Sequence, residues 1–194
     1  MNLTKIYIAG MLAVMLISAC SVDPSSRGSY MINYDQALAG TDPSKIPPPV
    51  VGSTQEKTAC DKFRNFYKVF SASVIRAQID GLYAPDAYFR DGFREVRGID
   101  AIKAYFLNST ETFEECIFDI QDVAAHDGNY YFRWIMHLKL KRNPQETLRV
   151  VGMSHVCFNV EGLVMFHQDY WDTSIIYEEA PVLGRMITWI RKRI

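Results

Sequence analysis

The fold is decided by residues 82–106, which read LYAPDAYFRDGFREVRGIDAIKAYF. The first part, YAPDAYFRDG, is typical of a short extended segment that ends in an Asp-Gly turn. Gly98 then introduces a helix that is predicted from Ile99 to about Thr112. The apolar residues on one side of this helix are Ile99, Ile102, Tyr105 and Phe106. The stretch therefore predicts a short extended segment followed by a helix with one buried face.

Two further helices are predicted before this stretch. The first is expected from about Gln55 to Ser71, because four aromatic residues recur there at helical spacing: Phe63, Phe66, Tyr67 and Phe70. The second is expected from about Ser73 to Leu82. The first half of the domain is thus predicted to be mainly helical.

The second half of the chain is predicted to form strands. Along Tyr130–Leu140, apolar side chains alternate with mostly polar ones, as in a strand that buries one face. Similar segments cover residues 116–123, 148–158 and 163–173, with turn residues between them. Helices followed by antiparallel strands predict an α+β domain, in which the helices cover one face of a curved sheet.

The N-terminus has the layout of an export signal. Lys5 precedes an apolar run over residues 6–17 that is too short to span a bilayer comfortably. The segment Ile17-Ser18-Ala19-Cys20 resembles the lipobox of bacterial lipoproteins. That resemblance implies removal of residues 1–19 as a signal peptide and acylation of Cys20. An ordinary secretory leader with a chance cysteine is the alternative.

The residues after the signal peptide are predicted to separate the membrane from the domain. Ser21 rather than Asp follows the cysteine, which in the lipoprotein pattern of Gram-negative bacteria implies the outer membrane, here on its periplasmic side. Residues 20–55 are rich in Ser, Pro and Gly and are predicted to be a flexible, lipid-anchored linker. The folded domain is expected over residues 56–194, including an amphipathic C-terminal helix.

Charge and cysteine content exclude several classes of function. Without Lys5 of the leader, the mature chain has 20 basic and 22 acidic side chains, which argues against a nucleic-acid partner. Cys60, Cys116 and Cys157 are widely spaced and form no CxxC motif, so neither a zinc cluster nor a redox pair is indicated. At most one disulfide is possible among these three. We expect no metal site and no cofactor.

The quoted stretch, the strands that follow it and the segment HQDYWD at residues 167–172 together carry a family resemblance. They resemble the SnoaL-like branch of the nuclear transport factor 2 superfamily, whose fold ketosteroid isomerases share. The resemblance covers about residues 57–176. It implies a cone-shaped apolar pocket between the helices and the concave face of the sheet, and we expect function to reside there.

The segment HQDYWD contributes polar groups to this pocket. Alternation along the strand places Met165, His167, Asp169 and Trp171 on one face, and the resemblance puts that face inside. His167 and Asp169 lie close enough to couple, so they could form a base with a shifted pKa. The alternative is that both are satisfied core residues and that Trp171 plugs the narrow end of the cone.

The resemblance to ketosteroid isomerases also assigns residues one by one. It places Tyr67 at the position of the oxyanion-hole tyrosine and Asp91 at that of the general base. Ser154 stands where that family has a protonated carboxylic acid, which puts steroid isomerisation itself in doubt. SnoaL-type cyclases use an acidic residue on a late strand, which makes Asp169 the rival base. Tyr67 as a core aromatic and Asp91 as a turn residue are the alternatives.

The remaining pocket residues suggest a small hydrophobic ligand. We expect the substrate to be held by Phe63, Trp134, Met136, Ser154 and Trp171, in a cavity of roughly 300 Å³ or more. Two functions remain open. One is acid–base catalysis without a cofactor on an apolar carbonyl compound, in the manner of an isomerase, cyclase or hydratase. The other is a non-catalytic module that binds a small molecule or lipid in the cell envelope. A structural lipoprotein that uses its sheet for association is a further option.

Two surfaces of the domain are predicted to be apolar. The strand faces turned away from the pocket carry Val151, Met153, Phe166 and Tyr170, which suggests a homodimer through the outer face of the sheet. Related SnoaL-like and isomerase proteins pair in this way. The tail LGRMITWIRKRI, residues 183–194, predicts an amphipathic helix. We expect it to pack over the domain; an interfacial membrane helix is the alternative.

Overall fold

A computed structural model describes residues 24–180 and 183–193 of the chain. The predicted signal peptide, Cys20 and Ile194 lie outside the described residues. The chain divides into two compact units, residues 1–39 and residues 40–194. The first unit contains helix α1, Pro24–Ala39, and the second contains every other helix and strand described below.

The segment predicted to be a flexible linker contains ordered structure. Helix α1 fills much of it, and the second unit begins at Gly40 rather than at residue 56. The prolines explain the error, because Pro24 lies at the start of the helix, where proline is tolerated. The other prolines lie beyond the helix, where Pro49 is buried and the ring of Pro48 lies against the Gly128 turn. The predicted linker therefore includes a helix over residues 24–39, while residues 40–53 contain turns and irregular structure.

The helices of the second unit begin where the sequence offers capping groups. Ser53 accepts a hydrogen bond from the backbone N–H of Glu56 at 3.1 Å and so caps helix α2. The helices are α2, Thr54–Lys68; α3, Ala72–Gln78, continued by a 3₁₀ turn over Ile79–Gly81; α4, Ile99–Ser109; α5, Ser174–Glu178; and α6, Leu183–Arg191. The three helices predicted before residue 113 are confirmed, each a few residues shorter than expected.

Six strands form one open sheet. They are β1, Tyr83–Arg90; β2, Glu95–Arg97; β3, Phe113–His126; β4, Asn129–Leu140; β5, Leu148–Phe158; and β6, Val164–Trp171. Their order is β2-β1-β6-β5-β4-β3. The β3 to β6 meander is antiparallel as predicted, but β1 pairs with β6 in parallel, so the sheet is mixed. Mixed pairing follows because the chain crosses the sheet through α4 between β2 and β3.

The core lies between α2, α4 and one face of the sheet. The members of the core cluster, with the side chains packed against it, lie between Ala59 and Ile176, so the second unit has a core of its own. The inward side chains of β4 alternate as the sequence predicts, and Phe132 and Trp134 are buried while Arg133 is exposed. The opposite face is called the outer face below; Ile135, Val151, Met153 and Tyr170 lie on it.

The outer face is only partly exposed. Val151 is 72% exposed and Tyr170 is 43% exposed, which is the exposure expected of a surface that binds a second copy. Phe166 is fully buried, however, between the ring of Tyr88 at 5.3 Å and that of His155 at 5.0 Å. The expectation that Phe166 is available to a second copy was therefore wrong.

Candidate functional site

A cavity of about 150 Å³ opens between the helices and the inner face of the sheet. This volume is smaller than the expected 300 Å³ and close to that of an apolar cavity that holds a benzene ring. The wall is mostly aromatic and aliphatic. It is lined by Tyr67, Phe70, Phe89, Asp91, Phe93, Tyr105, Phe106, Ser109, Thr112, Phe113, Cys116, Phe118, Trp134, Met136, Leu138, Leu140, Asp169, Trp171 and Ile176.

Six of the predicted site residues line this cavity: Tyr67, Asp91, Trp134, Met136, Asp169 and Trp171. Three others lie behind the wall. Ser154 and His167 are buried and do not line the cavity, but both are hydrogen-bonded to Asp169, which does. Phe63 is a core residue, with its ring 4.4 Å from Phe132 and 5.2 Å from His167. Phe63 and Ser154, which were expected to hold the substrate, are therefore not among the residues that line the cavity.

The register of β5 and β6 builds the polar end of the cavity. Ser154 pairs with Asp169 and Gly152 pairs with Trp171, so all these residues share the inner face. Ser154 accepts a hydrogen bond from the Trp134 indole N–H at 2.9 Å and donates its own hydrogen to Asp169 Oδ1 at 2.5 Å. Because the indole can only donate, the direction of both bonds is fixed.

Asp169 is held by a second group on the same oxygen. His167 Nε2 lies 2.8 Å from Asp169 Oδ1, and the imidazole is fully buried. Among the described residues, the side chains of Ser154 and His167 both bond to the same oxygen of the Asp169 carboxylate, Oδ1. The other oxygen, Oδ2, is therefore the one that can bind a ligand in the cavity. The carboxylate is thus oriented from behind while one oxygen stays available.

Two tyrosines extend this network away from Asp169. The hydroxyl of Tyr83 lies 2.6 Å from His167 Nδ1 and 2.7 Å from the hydroxyl of Tyr67. With a neutral imidazole protonated on Nε2, each hydrogen points towards Asp169: Tyr67 donates to Tyr83, Tyr83 donates to Nδ1, and Nε2 donates to Oδ1. Burial raises the pKa of both tyrosines well above the ordinary value, so both phenols stay protonated.

The opposite arrangement has a hydrogen on Nδ1 of His167. Nδ1 then donates to Tyr83, which donates to Tyr67, and the Tyr67 hydroxyl hydrogen becomes available to the cavity. Tyr67 can therefore donate to a ligand oxygen when the chain runs in this direction.

Asp91 has a different environment from Asp169. Its Oδ1 accepts hydrogen bonds from the backbone N–H groups of Phe93 and Arg94, and its Oδ2 accepts one from the Tyr105 hydroxyl at 2.6 Å. Burial raises the pKa of Asp91, and the charge of Asp169 adds to this effect. Asp91 is thus a turn residue, which was the alternative to its role as a general base, and it also forms part of the cavity wall.

An aromatic cluster frames the mouth of the cavity. Phe93 lines the cavity and is 41% exposed, so the mouth lies beside it. Its ring lies 5.3 Å from that of Trp171 and 5.5 Å from that of Tyr177. Ile176, on the same short helix α5, also lines the cavity. Helix α5 therefore forms one edge of the mouth.

Sequence reasoning missed several of these residues. Tyr83 joins the network although its place in β1 gave no signal beyond burial. Tyr105 was assigned to the apolar face of its helix, and the signal that could have found it is that a phenol on a buried face needs an acceptor. Phe93 and Ile176 became visible only when the turn and α5 met at the mouth.

No group of three or more His, Cys, Asp or Glu side chains that could hold a metal ion is present among the described residues. The donors at the polar end of the cavity are instead used in the network around Asp169. What this arrangement offers is an oriented carboxylate and a chain of proton donors beside an apolar space.

The open sheet, the helices on one face and the cavity between them define a class, the cone-shaped α+β domains of the nuclear transport factor 2-like kind. Solved structures with this fold include a protein from Jannaschia sp. CCS1 that is classed as a SnoaL-like polyketide cyclase. The two sequences are 13% identical, the match covers 66% of this chain and 96% of that chain, and the TM-score is 0.55. A protein from Acidithiobacillus ferrooxidans that is classed as a polyketide cyclase is 18% identical in sequence; the match covers 67% of this chain and 96% of that chain, and the TM-score is 0.53.

A third solved structure carries a ligand. It is a protein with a ketosteroid isomerase-like fold from Catenulispora acidiphila, in complex with trimethylamine; its identity is 13%, the coverage is 61% of this chain and 88% of that chain, and the TM-score is 0.53. At these identities the likeness shows the fold alone. Among curated proteins, no relative matches the sequence.

The sequence profile of the SnoaL-like domain matches residues 63–167, which is more than half of the chain. The chain therefore belongs to the SnoaL-like domain family. The matched range includes Tyr67, Asp91, Ser154 and His167, whereas Asp169 and Trp171 lie just beyond it.

Proposed function

We propose that this protein binds a small apolar carbonyl compound in the cavity and that Asp169 removes a proton from the carbon next to the carbonyl. The observation that carries the proposal is the carboxylate of Asp169, oriented through Oδ1 by Ser154 and His167 beside an apolar wall. A positioned carboxylate in a water-poor site is a general base for such carbon acids.

The cavity sets the size of the ligand. About 150 Å³ accommodates one ring, and a larger molecule would have to extend through the mouth beside Phe93. The wall offers apolar contact through Trp134, Met136 and Phe118. A small cyclic ketone therefore fits better than a four-ring steroid, which agrees with the replacement at Ser154 of the acid that steroid isomerases use.

Tyr67 is the proposed donor to the developing enolate. Its hydrogen reaches the cavity when Nδ1 of His167 donates to Tyr83 and Tyr83 donates to Tyr67, and the raised pKa of Tyr67 keeps the phenol in its donating form. Asp91 is the weaker candidate for the base, because hydrogen bonds from Phe93, Arg94 and Tyr105 engage both of its oxygens.

The test is hydrogen–deuterium exchange at the carbons next to the carbonyl of cyclohexanone, followed by NMR in heavy water with the purified chain. We expect catalysed exchange that Asp169→Asn lowers by at least about 100-fold, in the range typical of a general base. The matched control is Asp91→Asn, which removes the other carboxylate of the same cavity and is expected to retain exchange within about tenfold. Equal loss in both variants, or loss in Asp91→Asn alone, would contradict the assignment.

A non-catalytic binding module is the second candidate. It is favoured by the network itself, in which Trp134, Ser154 and His167 are all hydrogen-bonded to other protein side chains. Mass spectrometry of molecules that the purified protein retains distinguishes the two. A retained apolar molecule, bound equally by wild type and Asp169→Asn and with no exchange above the buffer rate, would establish the binding module.

The proposed setting is the bacterial cell envelope. The leader and the cysteine that follows it support a lipoprotein held through acylated Cys20, on the periplasmic side of the outer membrane. Labelled fatty acid is expected to attach to the wild type and not to Cys20→Ala, which should accumulate with its leader uncut. If the wild type takes up no label, the leader is an ordinary secretory one.

A further inference from the structure

Helix α6 presents an apolar face that the domain does not cover. Met186 is 53% exposed, Trp189 is 56% exposed and Ile190 is 40% exposed. At 3.6 residues per turn these three side chains occupy one side of the helix. The expected packing of this helix over the domain accounts only for Leu183 and Ile187, which are half-buried.

Positive charge borders this apolar face. The sequence from Leu183 to the end of the chain has four basic residues and no acidic one: Arg185, Arg191, Lys192 and Arg193. Lys192 and Arg193 are exposed, and the Arg193 guanidinium lies 4.3 Å from the centre of the Trp189 ring. An exposed indole between cations is the combination that binds at the headgroup level of an anionic bilayer.

The other side of α6 is fixed to the domain. Arg191 forms ion pairs with Asp172 at 2.7 Å and with Glu178 of α5 at 2.8 Å. Gly184 packs on the Glu178 carbonyl, where a Cβ atom would collide with the oxygen. Because α5 also forms an edge of the cavity mouth through Ile176, α6 is held next to that mouth.

We propose that the exposed face of α6 binds the surface of an anionic lipid bilayer and so places the cavity mouth beside the membrane. Met186, Trp189 and Ile190 enter the headgroup layer, while Lys192 and Arg193 pair with lipid phosphates. This contact is independent of an acyl chain on Cys20 and of catalysis by Asp169.

The test uses residues 40–194, the unit with its own core, so that neither the leader nor Cys20 can hold it to a membrane. Co-sedimentation with vesicles of phosphatidylcholine, with and without equimolar phosphatidylglycerol, measures binding. We expect binding that is at least about tenfold tighter to the anionic vesicles and a blue shift of tryptophan emission on binding. Trp189→Ala and the pair Lys192→Gln with Arg193→Gln should each weaken it by about tenfold.

The matched control is Lys57→Gln with Arg76→Gln, which removes the same charge from exposed positions on α2 and α3. This variant should bind as the wild type does, and thermal unfolding should show that every variant is folded. Equal binding to neutral vesicles, no binding to either kind, or an equal loss in the control pair would overturn the proposal. So would a dimer in the absence of lipid that Trp189→Ala dissociates, because the face would then bind protein.

Discussion

At the scale of single residues, Asp169 and the groups behind it form one hydrogen-bonded unit. A change at any member is felt by the others, because each hydroxyl has one hydrogen to donate and its direction depends on its neighbour. Ser154 is fixed by the Trp134 indole, whereas Tyr67 and Tyr83 can reverse. The two ends of the site therefore differ in the freedom of their protons.

Tyr83 is predicted to be a positioning residue. Tyr83→Phe leaves His167 Nδ1 and the Tyr67 hydroxyl without their 2.6 Å and 2.7 Å partner, in a fully buried place. We expect a loss of about 1–3 kcal/mol in the free energy of unfolding, measured by urea denaturation. Tyr131→Phe, which removes a hydroxyl from a half-buried tyrosine of the outer face, should cost less than about 0.5 kcal/mol. Equal losses would show that Tyr83 only fills space.

His155 is predicted to make stability depend on pH. Burial lowers its pKa to about 4 from 6.5, and the neighbouring His167 adds to the shift. The unfolded chain therefore binds a proton in a pH range where the folded chain does not. Its contribution is complete above pH 6.5 and is lost as pH falls from 6.5 towards about 4, by as much as about 3 kcal/mol.

Denaturation curves between these two pH values test this prediction. The polar groups beside His155 are Asn129, whose Oδ1 lies 2.7 Å from Nε2, and the Cys157 thiol, whose Sγ lies 3.7 Å from it. The rings of Tyr131 and Phe166 lie 4.7 Å and 5.0 Å from the imidazole. His155→Gln should flatten the pH dependence. His126→Gln, a change in an exposed turn, should leave it as in the wild type. An unchanged slope in His155→Gln would assign the dependence to other groups.

At the scale of elements, the strands were more predictable than the connections. Strand β4 ends at Leu140, as the alternation predicts, since a buried face imposes a period of two on the sequence. The inward set His167, Asp169 and Trp171 followed from the same rule. Helix α1 was missed because composition was averaged over a segment whose prolines lie at the first residue of the helix and beyond its end.

Gly152 shows how closely two elements approach. Its partner residues across the sheet are Trp134 and Trp171, and an added Cβ would lie 2.2 Å from the Trp134 ring. Gly152→Ala should therefore push the indole towards the cavity and destabilise the fold by about 1–3 kcal/mol. Thermal unfolding measures this, and Val151→Ala on the outer face is the control, expected within about 0.5 kcal/mol of the wild type. An unaffected Gly152→Ala would mean that Trp134 has room to move.

At the scale of the whole molecule, family and fold class could be predicted, while the volume of the cavity could not. The sequence fixes which side chains face inward, but the space left between them depends on rotamers and on how Phe93, Trp171 and α5 meet at the mouth. The hydrogen-bond network around His167 could not be predicted either, because Tyr83 joins it only through the pairing of β1 with β6. Long-range packing determines both.

The homodimer remains a prediction, with its surface redefined. The apolar residues available on the outer face are Ile135, Val151, Met153 and Tyr170, since Phe166 is buried. Sedimentation of residues 40–194 should show a dimer that Val151→Asp dissociates, because a carboxylate would then be buried in the contact. Val160→Asp, a change at an exposed turn, should leave it intact. A wild-type monomer at tens of micromolar would end the dimer proposal.

The three cysteines of the described residues, Cys60, Cys116 and Cys157, are all free and buried. Burial raises their thiol pKa to about 11, 12 and 11, so a thiol-directed reagent meets no ionised sulfur in the native state. Cys116 of β3 lines the cavity, whereas Cys60 of α2 and Cys157 of β5 do not. Alkylation of these two can proceed only when α2 or β5 opens, so the order in which they are modified would report which layer of the domain separates first.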